Sequence, residues 1–219
     1  SAPVWERHWA WRAGLGDLGR NALLIPHGGS PLTFLAVVLT SLDPASDLEP
    51  REPPVPGASC GSCRRCLDAC PTGALLDHGE VDARRCVSYL TIEERGPIPE
   101  ELRPLIGDRI FGCDACQLAC PHALAGPPGD PAFSPGRPSL DAARLLVETE
   151  KSLKSEFQGS PISRAVPERL QRNAAVVLGN ALRAKSVGLD ARRALSWALR
   201  NPSPLVREHA AWALAWART

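Results

Sequence analysis

Apolar residues at Val4, Trp5, Trp9 and Trp11, followed by Gly14, predict a helix that ends at a glycine. Two apolar runs come next, Asn21 to Ile25 and Leu32 to Leu42. They read as buried strands, or as a strand and a helix, belonging to a larger α/β unit. The second is the longest strongly apolar run in the chain, yet Thr and Ser interrupt it. It falls short of the roughly 20 residues that span a bilayer, so no membrane association is expected. Proline is dense from Pro44 to Pro56, which predicts a surface loop. From Leu140 onward the pattern is helical in three stretches: DAARLLVETEKSL, PERLQRNAAVVLGNALRA, and DARRALSWALRNPSPLVREHAAWALAWA. Pro or Asp stands at each start.

Within this tail, RNAAVVL from Arg172 and EHAAWAL from Glu208 align at a spacing of 36 residues. That is near the two-helix period of HEAT arrays, roughly 40 residues. Such an array needs about three repeats to stand alone, and two at most are visible, so the tail is expected to pack against the cysteine-bearing domain.

Charge divides the chain. Residues 151–219 hold 12 Lys and Arg against 4 Asp and Glu, leaving 13 and 20 for the first 150 residues. The tail carries Lys151, Lys154, Arg164, Arg169, Arg172, Arg183, Lys185, Arg192 and Arg193. Two readings fit: a surface for a polyanion, with phosphate as the natural counterpart, or arginines that merely solvate helix faces. The chain has no Met and begins at Ser1, so preceding residues are expected. No charged start followed by an apolar stretch is visible, which points to the cytoplasm.

The chemistry lies in eight cysteines, at 60, 63, 66, 70, 86, 113, 116 and 120. CGSCRRCLDACP is the bacterial ferredoxin run, three cysteines at intervals of three, a fourth four residues on, and then proline. CDACQLACP is a shortened version whose missing member Cys86 can supply. Two-residue gaps let a tight loop bring three thiolates to three corners of a cube. In two-cluster ferredoxins the cysteine before proline serves the other cluster. The crossover assigns Cys60, Cys63, Cys66 and Cys120 to one 4Fe-4S cluster, and Cys70, Cys86, Cys113 and Cys116 to a second. Four disulfides would suit a small secreted domain, and zinc favours isolated pairs of C-x-x-C, so both fit this pattern poorly.

Other motifs are weak. GLGDLG follows a helix instead of a strand, which argues against a dinucleotide fingerprint. The five histidines are scattered, and no nucleophile elbow, P-loop or paired catalytic carboxylates stand out, so the chemistry must come from a cofactor.

The segments SAPVWERHWAWRAGLGDLGRNALLI, RRCVSYLTIEERGPIPEELRPLIGDRIFGCDACQLACP and RNAAVVLGNA resemble the epoxyqueuosine reductases, which complete the queuosine base in transfer RNA. The resemblance implies an α+β chain in three parts. Residues 1–56 would be a remnant of an α/β cobalamin-binding domain, 57–125 a ferredoxin-like two-cluster domain, and 139–219 an all-α HEAT-like domain. It implies an oxidoreductase in which the clusters feed cobalamin, an external electron donor feeds the clusters, and a monomer acts on the anticodon stem-loop. The family's proton-donor Asp would lie before Ser1, leaving no catalytic residue inside the chain. By the same likeness Arg20, Leu24, Ser88, Asp114 and Ala115 would lie near the corrinoid, and Arg7, Lys154, Arg164, Arg169 and Arg172 near transfer RNA. Two departures from the family pattern stand out: Asp17 and Arg20 where GLGxxGKN usually carries a bulky residue and Lys, and CPHA with His122 in place of CPWN. Two alternatives accompany this reading, a cobalamin and iron-sulfur reductive dehalogenase and a non-enzymatic two-cluster electron carrier. The basic tail weighs against the dehalogenase.

Overall fold

A computed structural model describes residues 4–41, 52, 54–123 and 139–218. Most of the expected proline-rich loop and the boundary at residue 125 lie outside these residues. The described residues are mostly helical in their regular structure, with one two-stranded sheet. Contacts group it into two compact units, Ser1–Asp82 with Asp114–Ala132, and Ala83–Cys113 with Phe133–Thr219. The grouping interleaves the chain where three consecutive segments were expected. Among the described residues no helix is long and apolar enough to cross a membrane.

In the first unit, α1 (Glu6–Arg12) buries Ala10 and Trp11 against Leu24. Trp5 and Trp9 stay mostly exposed, so only part of the expected apolar stripe faces inward. The helix stops in a Schellman arrangement: the Gly14 N–H donates to Trp11 O at 2.9 Å and the Leu15 N–H to Ala10 O at 3.0 Å. The chain then enters an antiparallel hairpin, β1 (Gly16–Leu18) paired with β2 (Leu24–Pro26), in the register Asp17 opposite Ile25. A side chain at Gly16 would collide with the Ile25 carbonyl, 2.2 Å from where its Cβ would stand. The glycines of GLGDLG thus serve a helix stop and a close strand crossing.

The expected buried element at 32–42 is not formed over the described part of that range. Residues 33–40 have no regular structure, and Phe34, Val38 and Leu39 are exposed. Apolar composition alone predicted burial, but among the described residues of this run only Leu35 packs on the α1–β2 cluster. Two short helices complete the described part of this unit, α2 (Arg65–Asp68) and α5 (Ala115–Leu118), which pack on each other.

The second unit is built on α8 (Pro167–Arg183), with Pro at its first position. Around it lie α3 (Val87–Ile92), α4 (Arg103–Ile106), α6 (Ala142–Val147), α7 (Glu150–Glu156), α9 (Leu189–Ala198) and α10 (Pro204–Trp216). The stretch expected as one helix from Asp141 is two, because Thr149 caps α7 through the Ser152 N–H at 3.2 Å. With neighbours on every side, α8 is buried continuously from Leu170 to Gly179.

That run includes Gln171, Arg172 and Asn173, and each polar group finds a carbonyl. Gln171 donates to Glu148 O at 2.8 Å. Arg172 donates to Glu94 O at 2.9 Å and to Gly96 O at 2.6 Å, and also reaches Leu90 O. Asn173 donates to Thr91 O at 2.8 Å and Ile110 O at 2.9 Å. The tail therefore fixes the segment between Cys86 and Cys113 by its backbone.

Candidate metal centre

The first cysteine run is folded as a sequence of tight turns. A 3-10 turn spans Ala58–Cys60, the Cys63 N–H donates to Cys60 O at 3.0 Å, and Cys66 lies on α2. On the partner helix, Cys116 lies within α5 and the Cys120 N–H donates to Gln117 O at 3.1 Å just beyond it. The packing of α2 on α5 brings the distant Cys120 to the first run. Cys60, Cys63, Cys66 and Cys120 line one cavity of about 180 Å³, together with Arg20, Asn21, Ile25, Ser59, Pro121 and His122.

Among the described residues no three His, Cys, Asp or Glu side chains converge closely enough to hold a single ion. The four thiols instead surround a volume. An all-thiolate donor set around a space is what a cubic iron-sulfur cluster requires, so these residues fit that group. Burial pushes the Cys66 thiol up, a backbone hydrogen bond at Leu67 opposes this, and Cys60 and Cys120 nearby push the same way as burial. A thiol pushed up by burial and neighbouring sulfur is relieved by a shared cation.

Cys70 behaves differently. Burial acts to raise its thiol, but the backbone groups of Ala74, Thr72 and Leu75 and the Thr72 hydroxyl outweigh it, and the net shift is downward. The Ala74 N–H donates to the sulfur at 3.2 Å. Cys70 and Cys116 belong to the first unit, whereas Cys86 and Cys113 belong to the second. There Cys86 precedes α3 as its N-terminal cap residue and Cys113 packs against the core.

Beside the cavity lies an ionic group that the residue patterns did not single out. Asp77 accepts from both Arg20 and Arg64, and the Arg20 Nη2 also donates to Gly61 O at 2.9 Å. The Arg64 hydrogen bond and charge, with those of Arg20, hold the Asp77 carboxyl below its usual range. The pair of arginines in CRRC was the visible signal.

The other expected site residues are dispersed. Leu24 is buried in the α1–β2 core and Ser88 is half-buried on α3. Asp114 is exposed as the residue that opens α5, and Ala115 follows it half-buried. Arg7 is exposed and donates to Ala22 O. Lys154 is exposed and pairs with Glu150 at 3.2 Å, and Arg164 is exposed and pairs with Glu93. Arg169 is half-buried, donating to Ile92 O and to Arg164 O at 2.8 Å. Arg172 corrects the expectation for it. It is fully buried, and burial pushes its guanidinium down to about 10, so it is an internal strut with no surface for phosphate.

Residues 59–123 match the 4Fe-4S double cluster binding domain family. Over 98% of its length the chain is 46% identical to the epoxyqueuosine reductase of Burkholderia pseudomallei, of which it covers 56%. Over nearly its whole length this chain is similar to epoxyqueuosine reductases. It spans little more than half the length of the curated reductases it matches. Solved structures agree. A selenomethionine-labelled epoxyqueuosine reductase superposes with a TM-score of 0.77 at 31% identity, over 97% of this chain and 54% of that one. A reductase solved with an epoxyqueuosine-modified stem loop of tRNA-Tyr gives a TM-score of 0.63 at 34% identity, over 78% and 44%.

Proposed function

We propose that this chain carries the iron-sulfur portion of an epoxyqueuosine reductase that acts on transfer RNA with cobalamin as its second cofactor. The observation that carries this reading is the near-complete alignment with named reductases, whose double-cluster segment here sets four thiols around one cavity. Cys60, Cys63, Cys66 and Cys120 hold one cluster. Cys70, Cys86, Cys113 and Cys116 hold the second, an assignment that rests on the ferredoxin pattern. These relatives lend no support to a reductive dehalogenase.

Removing the epoxide oxygen as water, to leave an alkene, takes two electrons and two protons. Cobalamin would supply a reducible cobalt for that step. The protein's own contribution here is to hold the thiolates, screen the cluster cavity with Ile25 and Pro121, and fix the two loops through α2 and α5. The residues proposed toward the corrinoid are Arg20, Ser88, Asp114 and Ala115, whereas Leu24 has almost no surface to offer. The basic tail is proposed as an all-α, HEAT-like face for the stem-loop, with Lys154, Arg164 and Arg169 contributing, and Arg7 on α1 is proposed as a separate contact to the RNA. A cytoplasmic monomer served by an external electron donor completes the reading.

The test is anaerobic reconstitution with iron, sulfide and cobalamin, with the chain alone and joined to the remaining length of its relatives. Epoxyqueuosine-containing transfer RNA is then assayed for the alkene product. Product from the joined protein is the expected result. Its absence with both clusters and cobalt loaded overturns the proposal.

A further inference from the structure

The cavity lined by Cys60, Cys63, Cys66 and Cys120 also has an arginine whose chemistry is unspent. Arg20, on the turn between β1 and β2, lines it. Two of its three guanidinium nitrogens are accounted for, Nη1 on Asp77 and Nη2 on Gly61 O. Its Nε is buried and has no hydrogen-bond partner among the described residues. A buried N–H of a charged group is rarely left without an acceptor.

The route of the side chain is also built. Gly57, with φ +80°, leads directly into the Ala58–Cys60 turn, and a Cβ there would stand 2.5 Å from Arg20 Cγ and 3.4 Å from its Nε. Only a residue without a side chain lets the Arg20 stem lie against the cluster loop. The Gly57 N–H donates to Leu18 O at 2.7 Å, fixing that loop to β1 at the same point. Asp77, itself held by Arg64 between two cluster ligands, then sets the plane of the guanidinium.

From these observations we infer that Arg20 is a tuning residue: its Nε–H donates to a sulfur of the cluster held by Cys60, Cys63, Cys66 and Cys120, and raises that cluster's reduction potential. Hydrogen bonds to cluster sulfurs and nearby positive charge both favour the more negative, reduced state. The inference rests on the two-cluster reading, and iron content separates failure of one from failure of the other.

The experiment uses the reconstituted chain, with iron quantified and each cluster titrated potentiometrically under electron paramagnetic resonance. Arg20→Lys keeps a positive charge and removes the Nε donor, and Arg20→Met removes both. The expected result is a lower potential for one cluster only, further lowered in Arg20→Met than in Arg20→Lys, at unchanged iron content. An exchangeable proton coupling on that reduced cluster is expected in the wild type and lost in both variants. Asp77→Asn is the control for a purely structural role. Its amide oxygen still accepts from Arg20 and so keeps Nε placed, while a negative charge is removed, so the potential should stay or rise. An unmoved potential in Arg20→Lys, or a fall in Asp77→Asn as large as that in Arg20→Lys, overturns the inference. A wild-type chain that takes up no iron overturns the two-cluster reading and this inference with it.

Discussion

His209 shows how a residue without a catalytic role still governs behaviour. It is fully buried on α10, its Nε2 accepting the Ile98 N–H at 3.2 Å, so Nδ1 carries the proton and donates to Leu205 O at 2.8 Å. Burial is the largest influence on its pKa, Leu205 opposes it, and with Arg103 and Arg172 nearby and Glu208 offsetting them the net push is down to about 4. Because folding lowers this pKa, the unfolded chain takes up the proton first as pH falls below about 6.5. Stability is therefore complete above that pH and is lost as pH falls toward the folded value. Denaturant unfolding between about pH 7.5 and 5.5 should show a loss of about 1.4 kcal/mol from this group. His209→Leu should remove that dependence while costing about 1–3 kcal/mol at neutral pH, since the Ile98 N–H is left unpaired. The arginines divide by the same logic of burial. Arg172→Met strips Leu90, Glu94 and Gly96 carbonyls of a charged donor and should destabilise the fold by about 3 kcal/mol or more. Arg164→Ala, at an exposed pair, should change stability by less than about 0.5 kcal/mol while weakening stem-loop binding and flattening its salt dependence by about one unit of slope. Equal RNA affinity in Arg164→Ala and the wild type would remove that residue from the proposed face.

At the scale of elements, α8 and α10 cross so closely that the usual ranking of residues reverses. A Cβ at Gly179 would lie 2.7 Å from Ala213 Cβ and 2.8 Å from its Cα, on a neighbouring backbone that cannot rotate away. Alanine is the better helix former by about 1 kcal/mol, but overpacking at such a crossing costs about 1–3 kcal/mol. Gly179→Ala should lower the midpoint of thermal unfolding, and a rise would mean the helices part without penalty. The helical tail was legible from periodicity, because Pro167, Ser203 and Pro204 mark helix starts and the apolar spacing persists between them. The cysteine pattern was legible for a comparable reason: ligand spacing is a local property, and α2 and α5 are short helices written into it. What periodicity could not convey was burial imposed from outside an element. Arg172 reads as one more basic residue until α3 and the loop after it are seen to lay their carbonyls against it. Phe34 and Val38 read as core until it is seen that nothing in the described chain covers them. Asp77 was only half visible, since CRRC displayed Arg64 but its other partner, Arg20, lies 57 residues away.

For the molecule as a whole, the decisive feature is that the second cysteine motif supplies Cys120 to the cavity lined by the first. Cys120 lies close to Cys116 in sequence, yet it lines the cavity of Cys60, Cys63 and Cys66, while Cys116 is not among that cavity's lining residues. If the ferredoxin crossover holds for both clusters, two cysteines four residues apart on the same strip of chain belong to different redox centres. Cys120→Ala and Cys116→Ala should then each lower iron from about eight to about four per chain, as loss of one four-iron cluster requires. The two variants should nonetheless retain different clusters. After reduction their paramagnetic spectra should differ from each other and together account for the features of the wild type. Adding Arg20→Lys to each makes the comparison sharper, because the substitution should shift the surviving potential in Cys116→Ala and leave it unmoved in Cys120→Ala. Identical spectra from the two single variants would mean that neighbouring cysteines share a cluster, and the crossed wiring would be wrong.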